Sequence, residues 1–306
     1  MSCWRASLSC ANSSSPGVKP LVAIAGPTAT GKSAFALRLT SRLAGAVIIA
    51  ADSRQVYRGL DIGTAKPTAA EQARVPHRLI DLVEPDQPFS LADYQRLAYE
   101  AIDSGEKPFL VGGTGLYLQA VIDGFVLPEA PPDAQLRGAE LSREELLRRL
   151  RELDPEAAES IDAANRYRLL RALERAGRPL GAQPRYRALQ LGLTAPREEL
   201  YRRSDERVDR MLAAGWLDEV RGLVARYSPR LPALSGLGYR ELARHLQGEL
   251  GYDEAVALVK RRTRQFIKRQ QTWFRRDARI HWFDITQPGW MALATELVGT
   301  VWRLPV

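Results

Sequence analysis

An octapeptide near the start of the chain has the residue types and the spacing needed to hold phosphate groups. GPTATGKS at residues 26–33, the phosphate loop, fits the pattern G-x-x-x-x-G-K-[ST]. Glycines let backbone N–H groups turn toward phosphate oxygens, Lys32 adds a positive charge, and the Ser33 hydroxyl can ligate Mg²⁺. An apolar run at 21–26 precedes the loop and a helical pattern at 33–45 follows it, as the motif requires. The loop is therefore predicted to bind a diphosphate or a triphosphate.

One carboxylate follows the next candidate strand. The apolar run at 46–52 ends in Asp52, whereas the strand predicted at 108–113 leads into glycines and Thr114. Because ligands bind at the carboxyl ends of the strands in open parallel sheets, we expect Asp52 to lie beside the phosphate loop. There it could act as a Mg²⁺ ligand or as a general base. As a structural alternative, it could cap a helix or form a turn with the polar residues that follow it.

A strongly basic stretch with aromatic residues lies near the end of the chain, and it contains no acid between Glu254 and Asp277. Its cationic side chains are Lys260, Arg261, Arg262, Arg264, Lys268, Arg269, Arg275 and Arg276. Phe266, Trp273 and Phe274 are interleaved with them, which suits nucleic acid because cations neutralise phosphates and rings stack on unpaired bases. A second basic segment at 166–175 favours a large polyanion over a small substrate. A solvated amphipathic helix is the structural alternative.

The hydrophobic periodicity predicts an α/β fold of the P-loop NTPase-like type, with a parallel sheet flanked by helices. Strands are predicted at 21–26, 46–52, 108–113, 186–193 and 281–285. Helices are predicted at 33–45, 116–124, 196–213, 216–227, 238–247, 253–276 and just after Gly289. A proline-rich boundary and purely helical patterns predict an all-helical insertion at 128–185, within a core formed by 20–127 and 186–306. Residues 1–19 are predicted to form a disordered tail.

Composition excludes several classes of function. The chain has 306 residues, 45% hydrophobic and 26% charged, which is an ordinary globular composition. Cys3 and Cys10 both lie in the predicted tail, which excludes a disulfide scaffold, a cysteine zinc site and a cysteine nucleophile in the body. No apolar run is long enough to cross a membrane, so we expect a cytoplasmic protein. The net charge of +8 points to polyanionic partners, although a basic protein without such a partner has the same charge.

Six segments, in order along the chain, resemble the tRNA dimethylallyltransferase family, whose members are also called tRNA isopentenyltransferases. The segments are GPTATGKS at 26–33, ADSRQVYRGLDIGTAKP at 51–67, VGGTGLYLQA at 111–120, NRYRLLRALE at 165–174, GLGYRE at 236–241 and TRQFIKRQQTWFR at 263–275. The second segment is far more specific than the phosphate loop alone. The resemblance runs from about residue 20 to 285 and is to the bacterial type, because no zinc finger follows.

The resemblance implies transfer of a dimethylallyl group from dimethylallyl diphosphate to N6 of the adenosine immediately 3′ of the tRNA anticodon. It implies that Asp52 is the catalytic base, that Thr114 lies at the reacting adenine, and that Mg²⁺ binds at Ser33. The residues it assigns to the diphosphate are Gly26, Thr28, Ala29, Thr30, Gly31, Lys32, Ser33 and Arg240. Those it assigns to tRNA are Asp52, Ser53, Arg54, Gln55, Thr114, Tyr167, Arg168, Arg171, Ser235, Lys268, Arg269, Gln270 and Arg275. It further implies a monomer with no membrane partner.

Three other functions fit parts of the sequence. A P-loop small-molecule kinase would bind ATP in the loop and use Asp52 to activate a hydroxyl, but the expected aspartate on a second strand is missing. A prenyltransferase for free adenine nucleotides would share the loop and Asp52 without needing the second basic segment. An RNA-binding module with a vestigial loop is disfavoured by the intact Lys32 and Ser33. Relative to the family, the insertion is predicted to be short between Arg137 and Glu144.

Overall fold

A parallel sheet forms the centre of the computed structural model, which describes residues 18–127, 133–175 and 181–302. The strands are β1 Pro20–Ala25, β2 Ala46–Ala51, β3 His77–Arg78, β4 Lys107–Gly112, β5 Arg187–Thr194 and β6 Ile280–Asp284. Their order across the sheet is β3-β2-β4-β1-β5-β6, and every neighbouring pair is parallel. Because β2, β4 and β1 are neighbours, the loops that leave their carboxyl ends lie side by side.

The described ranges contain thirteen α-helices, some of which cover the two faces of the sheet. They are α1 Lys32–Thr40, α2 Ala69–Arg74, α3 Leu91–Ser104, α4 Gly115–Ile122, α5 Ala134–Gly138, α6 Arg143–Leu153, α7 Pro155–Ser160, α8 Arg166–Arg175, α9 Arg197–Ala213, α10 Trp216–Val224, α11 Tyr239–Leu246, α12 Tyr252–Phe274 and α13 Trp290–Trp302. Within the described ranges, no helix is both long enough and apolar enough to cross a membrane.

The sheet is buried on both faces because β1, β2 and β4 are almost entirely apolar. On β1, Ala23 and Ala25 belong to a core that includes Tyr94 of α3 and residues of α4. The alternate residue Ile24 belongs to the opposite core, with Phe35 of α1 and residues of α13. Alternation of this kind is what the two-residue period of a strand produces. The sheet is thereby fixed between two layers of helices, and its carboxyl edge is left for a ligand.

A third apolar cluster surrounds Trp216 and packs α9, α10, α11 and α12 together with residues 56–60. Trp216 is 1% exposed. A Cβ atom added to Gly63 would lie 2.1 Å from this indole, and one added to Gly238 would lie 2.0 Å from it. One buried ring therefore fixes two loops, one after β2 and one before α11.

The predicted parallel α/β architecture is confirmed, with differences in detail. All five predicted strands are present, but the short edge strand β3 was not predicted, because its two residues carry no apolar run. Helix α3 was not predicted either, although Ser90 and Asp93 form a capping box at its start. Helix α1 ends at Thr40, earlier than the predicted residue 45, because residues 41–45 form turns before β2.

The described residues between 123 and 184 form a compact unit of their own, separate from the unit formed by the described residues up to 122 and from 185 onward. Its described part consists of α5 to α8, packed around a small core that includes Leu146, Leu150 and Leu169. The Ser142 side chain accepts a hydrogen bond from the backbone N–H of Glu145 and so caps α6. The predicted boundary at residue 128 lies outside the described residues.

Candidate active site

The phosphate loop connects β1 to α1 in a conformation that needs its glycines. Gly26 has a φ of 134°, and a Cβ atom there would lie 2.3 Å from the carbonyl oxygen of Leu193 in β5. Ala29 has a φ of 69°, which is uncommon for a residue with a side chain, and Gly31 caps α1 with a φ of 79°. Thr30 is buried, and its hydroxyl donates to the carbonyl of Pro27 at 2.9 Å. The loop therefore wraps closely around the amino end of a helix, where anions bind favourably.

Lys32 is partly buried inside the curve of the phosphate loop. Its Nζ donates to the carbonyl oxygen of Pro27 at 2.7 Å. Burial lowers the pKa of Lys32 to about 7; the positive charge of Arg207 acts in the same direction, and the negative charge of Asp52 opposes both. A lowered pKa means that the surroundings of this ammonium group stabilise its positive charge less well than water does. An anion bound in the loop would supply the missing negative charge.

Arg207 of α9 is a member of this site that the sequence analysis missed. Burial lowers its pKa, and Asp52 again acts in the opposite direction. Lys32, Arg207 and Asp52 are therefore close enough for their charges to interact across the sheet edge. The helix was predicted at 196–213, but its arginines are numerous and nothing in the local sequence distinguishes the one that faces the sheet.

Asp52 immediately follows β2 and forms a turn. Its Oδ1 accepts the backbone N–H of Arg54 at 2.8 Å, which matches the structural alternative considered from the sequence. Its Oδ2 accepts no hydrogen bond from any residue that the structure describes. Thr114, which follows β4, lies alongside because its hydroxyl oxygen accepts the backbone N–H of Ser53 at 3.1 Å. The turn thus fixes the direction of the carboxylate and leaves its Oδ2 atom available to accept a hydrogen bond or a proton.

The residues that follow Asp52 are largely engaged within the protein. Arg54 donates through one Nη to the carbonyl oxygens of Pro232 and Ala233, at 2.5 and 3.3 Å. The Gln55 side chain donates to backbone carbonyls of residues 64 and 65. Ser235 is exposed and donates to the carbonyl of Pro232 at 2.6 Å. The segment at 52–55 and the turn at 232–235 are therefore directly connected.

Gln270 of α12 lies between the phosphate loop and the loop after β4. It is 6% exposed. Its Oε1 accepts the backbone N–H of Thr28 at 2.9 Å, and its Nε2 donates to the carbonyl of Gly113 at 2.9 Å. One turn later, Trp273 packs against Gly115, where a Cβ atom would lie 2.2 Å from the indole. The buried side of α12 thus closes one side of the site.

The cationic side chains of the stretch 260–276 differ in their partners. Arg261 is exposed and has no acidic partner among the described residues. In the first half, Lys260 pairs with Asp209 at 2.6 Å, Arg262 with Glu241, and Arg264 with Asp205. In the second half, four exposed cations have no acidic partner among the described residues: Lys268, Arg269, Arg275 and Arg276. Arg269 only stacks on Phe266, with its guanidinium 5.7 Å from the ring centre. Arg240, exposed on the first turn of α11, also has no acidic partner in the described part of the chain.

In the insertion, α8 carries the predicted RNA contacts Tyr167, Arg168 and Arg171. Tyr167 is 63% exposed. Arg171 pairs with Glu174 at 2.5 Å, and Arg168 lies 3.6 Å from Asp162. Much of the positive charge that the sequence displays in this segment is therefore compensated by acids of the same unit.

The site is suited to a metal ion that relies on substrate oxygens rather than on a protein cage. No cluster of three or more histidine, cysteine or acidic side chains that could hold a metal occurs in the ranges that the structure describes. Ser33 is exposed on the first turn of α1, and its hydroxyl has no hydrogen-bond partner among those residues. Mg²⁺ commonly keeps several waters and takes few protein ligands beside substrate phosphates, so these residues fit it.

The fold, together with the residues at the carboxyl edge of the sheet, defines a P-loop-like α/β protein with a cation-rich phosphate site. The family model described as IPP transferase matches residues 55–277, and that described as Isopentenyl transferase matches residues 19–80. The tRNA dimethylallyltransferase of Symbiobacterium thermophilum is 48% identical over 298 residues, covering 90% of this chain and 93% of that protein. That of Roseiflexus is 50% identical over 276 residues, covering 84% of this chain and 90% of the relative.

Solved structures agree with these matches. The tRNA isopentenylpyrophosphate transferase of Bacillus halodurans has a TM-score of 0.72 and 38% identity, covering 93% of this chain and 97% of that one. A eukaryotic dimethylallyltransferase acting on tRNA shares the fold, with a TM-score of 0.80 at 24% identity. The chain therefore belongs to the tRNA dimethylallyltransferase family, as its sequence predicts. None of these relatives carries the name of a kinase.

Proposed function

We propose that this chain transfers a dimethylallyl group from dimethylallyl diphosphate to N6 of the adenosine immediately 3′ of the anticodon of a tRNA. The observation that carries this proposal is the convergence of Lys32, Arg207 and Asp52 at one sheet edge in a member of this family. Two cations beside the phosphate loop suit a diphosphate leaving group. A carboxylate opposite them suits an amine that must lose a proton as it reacts.

The phosphate loop binds the diphosphate of the donor. Its backbone N–H groups and the amino end of α1 face the anion, with Lys32 inside the curve. Gly26 and Gly31 allow the close approach, and Thr28, Ala29 and Thr30 supply the intervening amides. Arg207 approaches from α9, and the exposed Arg240 of α11 is a further cation for the same group. Positive charge from three separate elements thus surrounds one leaving group.

Asp52 removes the proton from the acceptor amine. The N6 lone pair of adenine is delocalised into the ring, so it is a weak nucleophile. As N6 forms a bond to C1 of the allyl group, the C1–O bond to the diphosphate breaks and N6 becomes acidic. Oδ2 of Asp52 accepts that proton, while Oδ1 stays bonded to the Arg54 amide. General-base catalysis of this kind contributes about 10²–10⁴-fold to the rate.

Negative charge develops on the diphosphate as the C1–O bond breaks. Lys32, Arg207 and the loop amides are already positioned around that charge, so little reorganisation is needed in the transition state. Ser33 would hold Mg²⁺, which supplies further neutralisation of the diphosphate when it is bound. We propose that these cations lower the barrier mainly by stabilising the departing anion.

The adenosine reaches Asp52 only when it leaves the stack of the anticodon loop. Enzymes that modify a base generally extrude it into a pocket. Thr114 and Ser53, joined by a hydrogen bond beside Asp52, are proposed to meet the extruded base. Lys268, Arg269 and Arg275 are proposed to bind the RNA backbone, together with Ser235 and the insertion residues Tyr167, Arg168 and Arg171. We propose that the enzyme acts as a monomer in the cytoplasm.

A comparison of acceptors tests the function. The protein is incubated with labelled dimethylallyl diphosphate and either unmodified tRNA, AMP, or neither; a parallel reaction contains labelled ATP and candidate alcohols. We expect label on tRNA alone, at one adenosine next to the anticodon. Label on AMP would instead indicate a nucleotide prenyltransferase. Phosphate transfer from ATP to an alcohol would indicate a kinase.

Asp52→Asn tests the base role more sharply than Asp52→Ala does. Asparagine keeps an oxygen that accepts the Arg54 N–H, so the turn is retained while the base is lost. We expect the rate of transfer at saturating substrates to fall by about 10²–10⁴-fold, with tRNA affinity within twofold of the wild type. Asp52→Ala is also expected to nearly abolish transfer while tRNA still binds. A variant that loses tRNA binding but keeps normal residual turnover contradicts the base role.

The lowered pKa of Lys32 gives a second test. Above about pH 7 most of the Lys32 side chains are neutral before ligand binds. A bound diphosphate raises that pKa again. Lys32 should therefore take up close to one proton when the diphosphate binds at about pH 8, and much less than one proton when it binds at about pH 6. Calorimetry with inorganic pyrophosphate in buffers of different ionisation enthalpy measures the uptake. Because pyrophosphate also exchanges protons in this range, Lys32→Met provides the reference. Equal proton uptake by the wild type and this variant at about pH 8 contradicts the assignment.

A further inference from the structure

The Gln270 side chain makes a pair of hydrogen bonds that joins two loops of the site. It accepts from Thr28 in the phosphate loop and donates to Gly113 in the loop after β4, both at 2.9 Å. A primary amide is the side-chain group that offers a donor and an acceptor from one fixed plane. Because Gln270 is 6% exposed, neither bond is readily replaced by water.

The surrounding backbone is shaped for this amide. A Cβ atom at position 113 would lie 2.5 Å from Nε2 of Gln270, so only glycine leaves room for the bond. On the other side, Thr28 directly precedes Ala29, whose φ of 69° is unfavourable for a residue with a side chain. The hydrogen bond from Gln270 therefore holds the phosphate loop at the residue before its unfavourable backbone conformation.

The same turn of α12 presents positive charge to the solvent. Lys268 and Arg269 are exposed and have no acidic partner among the residues that the structure describes. Gln270 follows them directly but points to the interior. One helical turn thus connects a surface that fits RNA phosphates with the loop that fits a diphosphate.

We propose that Gln270 is a positioning residue rather than a tRNA contact: it fixes the shape of the phosphate loop and makes that shape depend on α12. The proposal rests on the proposed function, in which RNA binds the exposed side of α12 and the donor binds the loop. In this arrangement, RNA bound on α12 steadies the phosphate loop through Gln270 and so tightens diphosphate binding. Because binding free energies are reciprocal, diphosphate then tightens RNA binding by the same factor.

The test compares Gln270→Met with Gln271→Met. Methionine has a similar length but forms neither hydrogen bond. Gln271 is 7% exposed on the same helix, and its side chain makes no hydrogen bond to either loop in the described structure. Inorganic pyrophosphate with Mg²⁺ is titrated by calorimetry, and an anticodon stem-loop by fluorescence anisotropy. Each ligand is measured alone and in the presence of the other, and thermal melts report folding.

For Gln270→Met we expect pyrophosphate affinity to fall about tenfold, RNA affinity alone to stay within twofold, and the mutual enhancement to disappear. Gln271→Met should retain all three wild-type values. Unchanged pyrophosphate affinity in Gln270→Met overturns the proposal, as does an equal loss in Gln271→Met or the absence of enhancement in the wild type. A fall in RNA affinity with unchanged pyrophosphate affinity would make Gln270 a tRNA contact.

Gln270→Glu provides an independent variant. The carboxylate still accepts from Thr28 but cannot donate to Gly113, and its charge opposes a diphosphate. At pH 8 we expect Gln270→Glu to lose more pyrophosphate affinity than Gln270→Met does. At pH 5.5 we expect the affinity of Gln270→Glu to move part of the way back toward that of the wild type, because a protonated carboxyl can donate again. No recovery overturns the bonding scheme. Pyrophosphate binding needs no transfer, so these results are separable from failure of the acceptor assay.

Discussion

The first four and the last four cations of the basic stretch at 260–276 differ in what they contact. In the first half, Lys260, Arg262 and Arg264 are paired with acids of α9 and α11, whereas Arg261 is exposed without an acidic partner among the described residues. In the second half, Lys268 and Arg269 are exposed without such partners among the described residues. The paired cations of the first half join helices to one another, whereas Lys268 and Arg269 remain available to an outside anion. Positive charge along a helix is therefore a poor measure of its capacity to bind RNA until the partners are known.

The largest effect on this comparison is expected from the double substitution Lys268→Ala with Arg269→Ala. Two phosphate contacts are lost, so affinity for an anticodon stem-loop should fall about 10–30-fold near 0.1 M salt. The dependence of log affinity on log salt should become shallower by about 1.4, since each contact with a single strand contributes about 0.7. Titrations at several salt concentrations measure both values. An unchanged salt slope would show that these cations do not meet phosphates.

A smaller effect is expected when the pairs of the first half are opened. Asp205→Asn with Asp209→Asn keeps the shape of both side chains but releases Arg264 and Lys260 from their partners. RNA affinity should then rise about threefold at low salt, and the gain should vanish at high salt because exposed charges are screened. If the affinity does not change, these cations lie beyond the reach of the RNA even when unpaired.

The smallest effect is expected from Arg264→Ala. Its charge is already compensated by Asp205, so RNA affinity should stay within twofold of the wild type. The pair is partly exposed, and such pairs contribute about 0–1 kcal/mol to the free energy of unfolding. Chemical denaturation and RNA titration of the same sample measure both. A tenfold loss of RNA affinity would remove the distinction between the two halves.

The sheet was predictable because its signal is local. β1, β2 and β4 are continuous apolar runs, and the loop and the carboxylate that follow two of them could be placed at one edge from the parallel topology alone. β3 could not be predicted, since its two residues pair at the sheet edge without an apolar run. The capping box at Ser90 was a usable signal for α3.

The side-chain partners were less predictable, because they come from distant parts of the chain. Asp205 and Asp209 lie more than 50 residues before their partners in α12. Arg207 reaches the site only because α9 packs against α12, and the amide of Gln270 meets a loop 242 residues earlier in the sequence. The resemblance to a family assigned Gln270 to tRNA by position, whereas its burial becomes visible only in the folded chain.

The bond from Arg54 to the carbonyls of residues 232 and 233 has a practical consequence for protein engineering. An attempt to alter substrate choice by rebuilding the turn at 232–235 would also remove the anchor of the Arg54 guanidinium, and the backbone N–H of the same residue holds Asp52. Libraries that vary this turn should therefore vary position 54 at the same time, so that each new turn can form its own contact with the segment that carries Asp52.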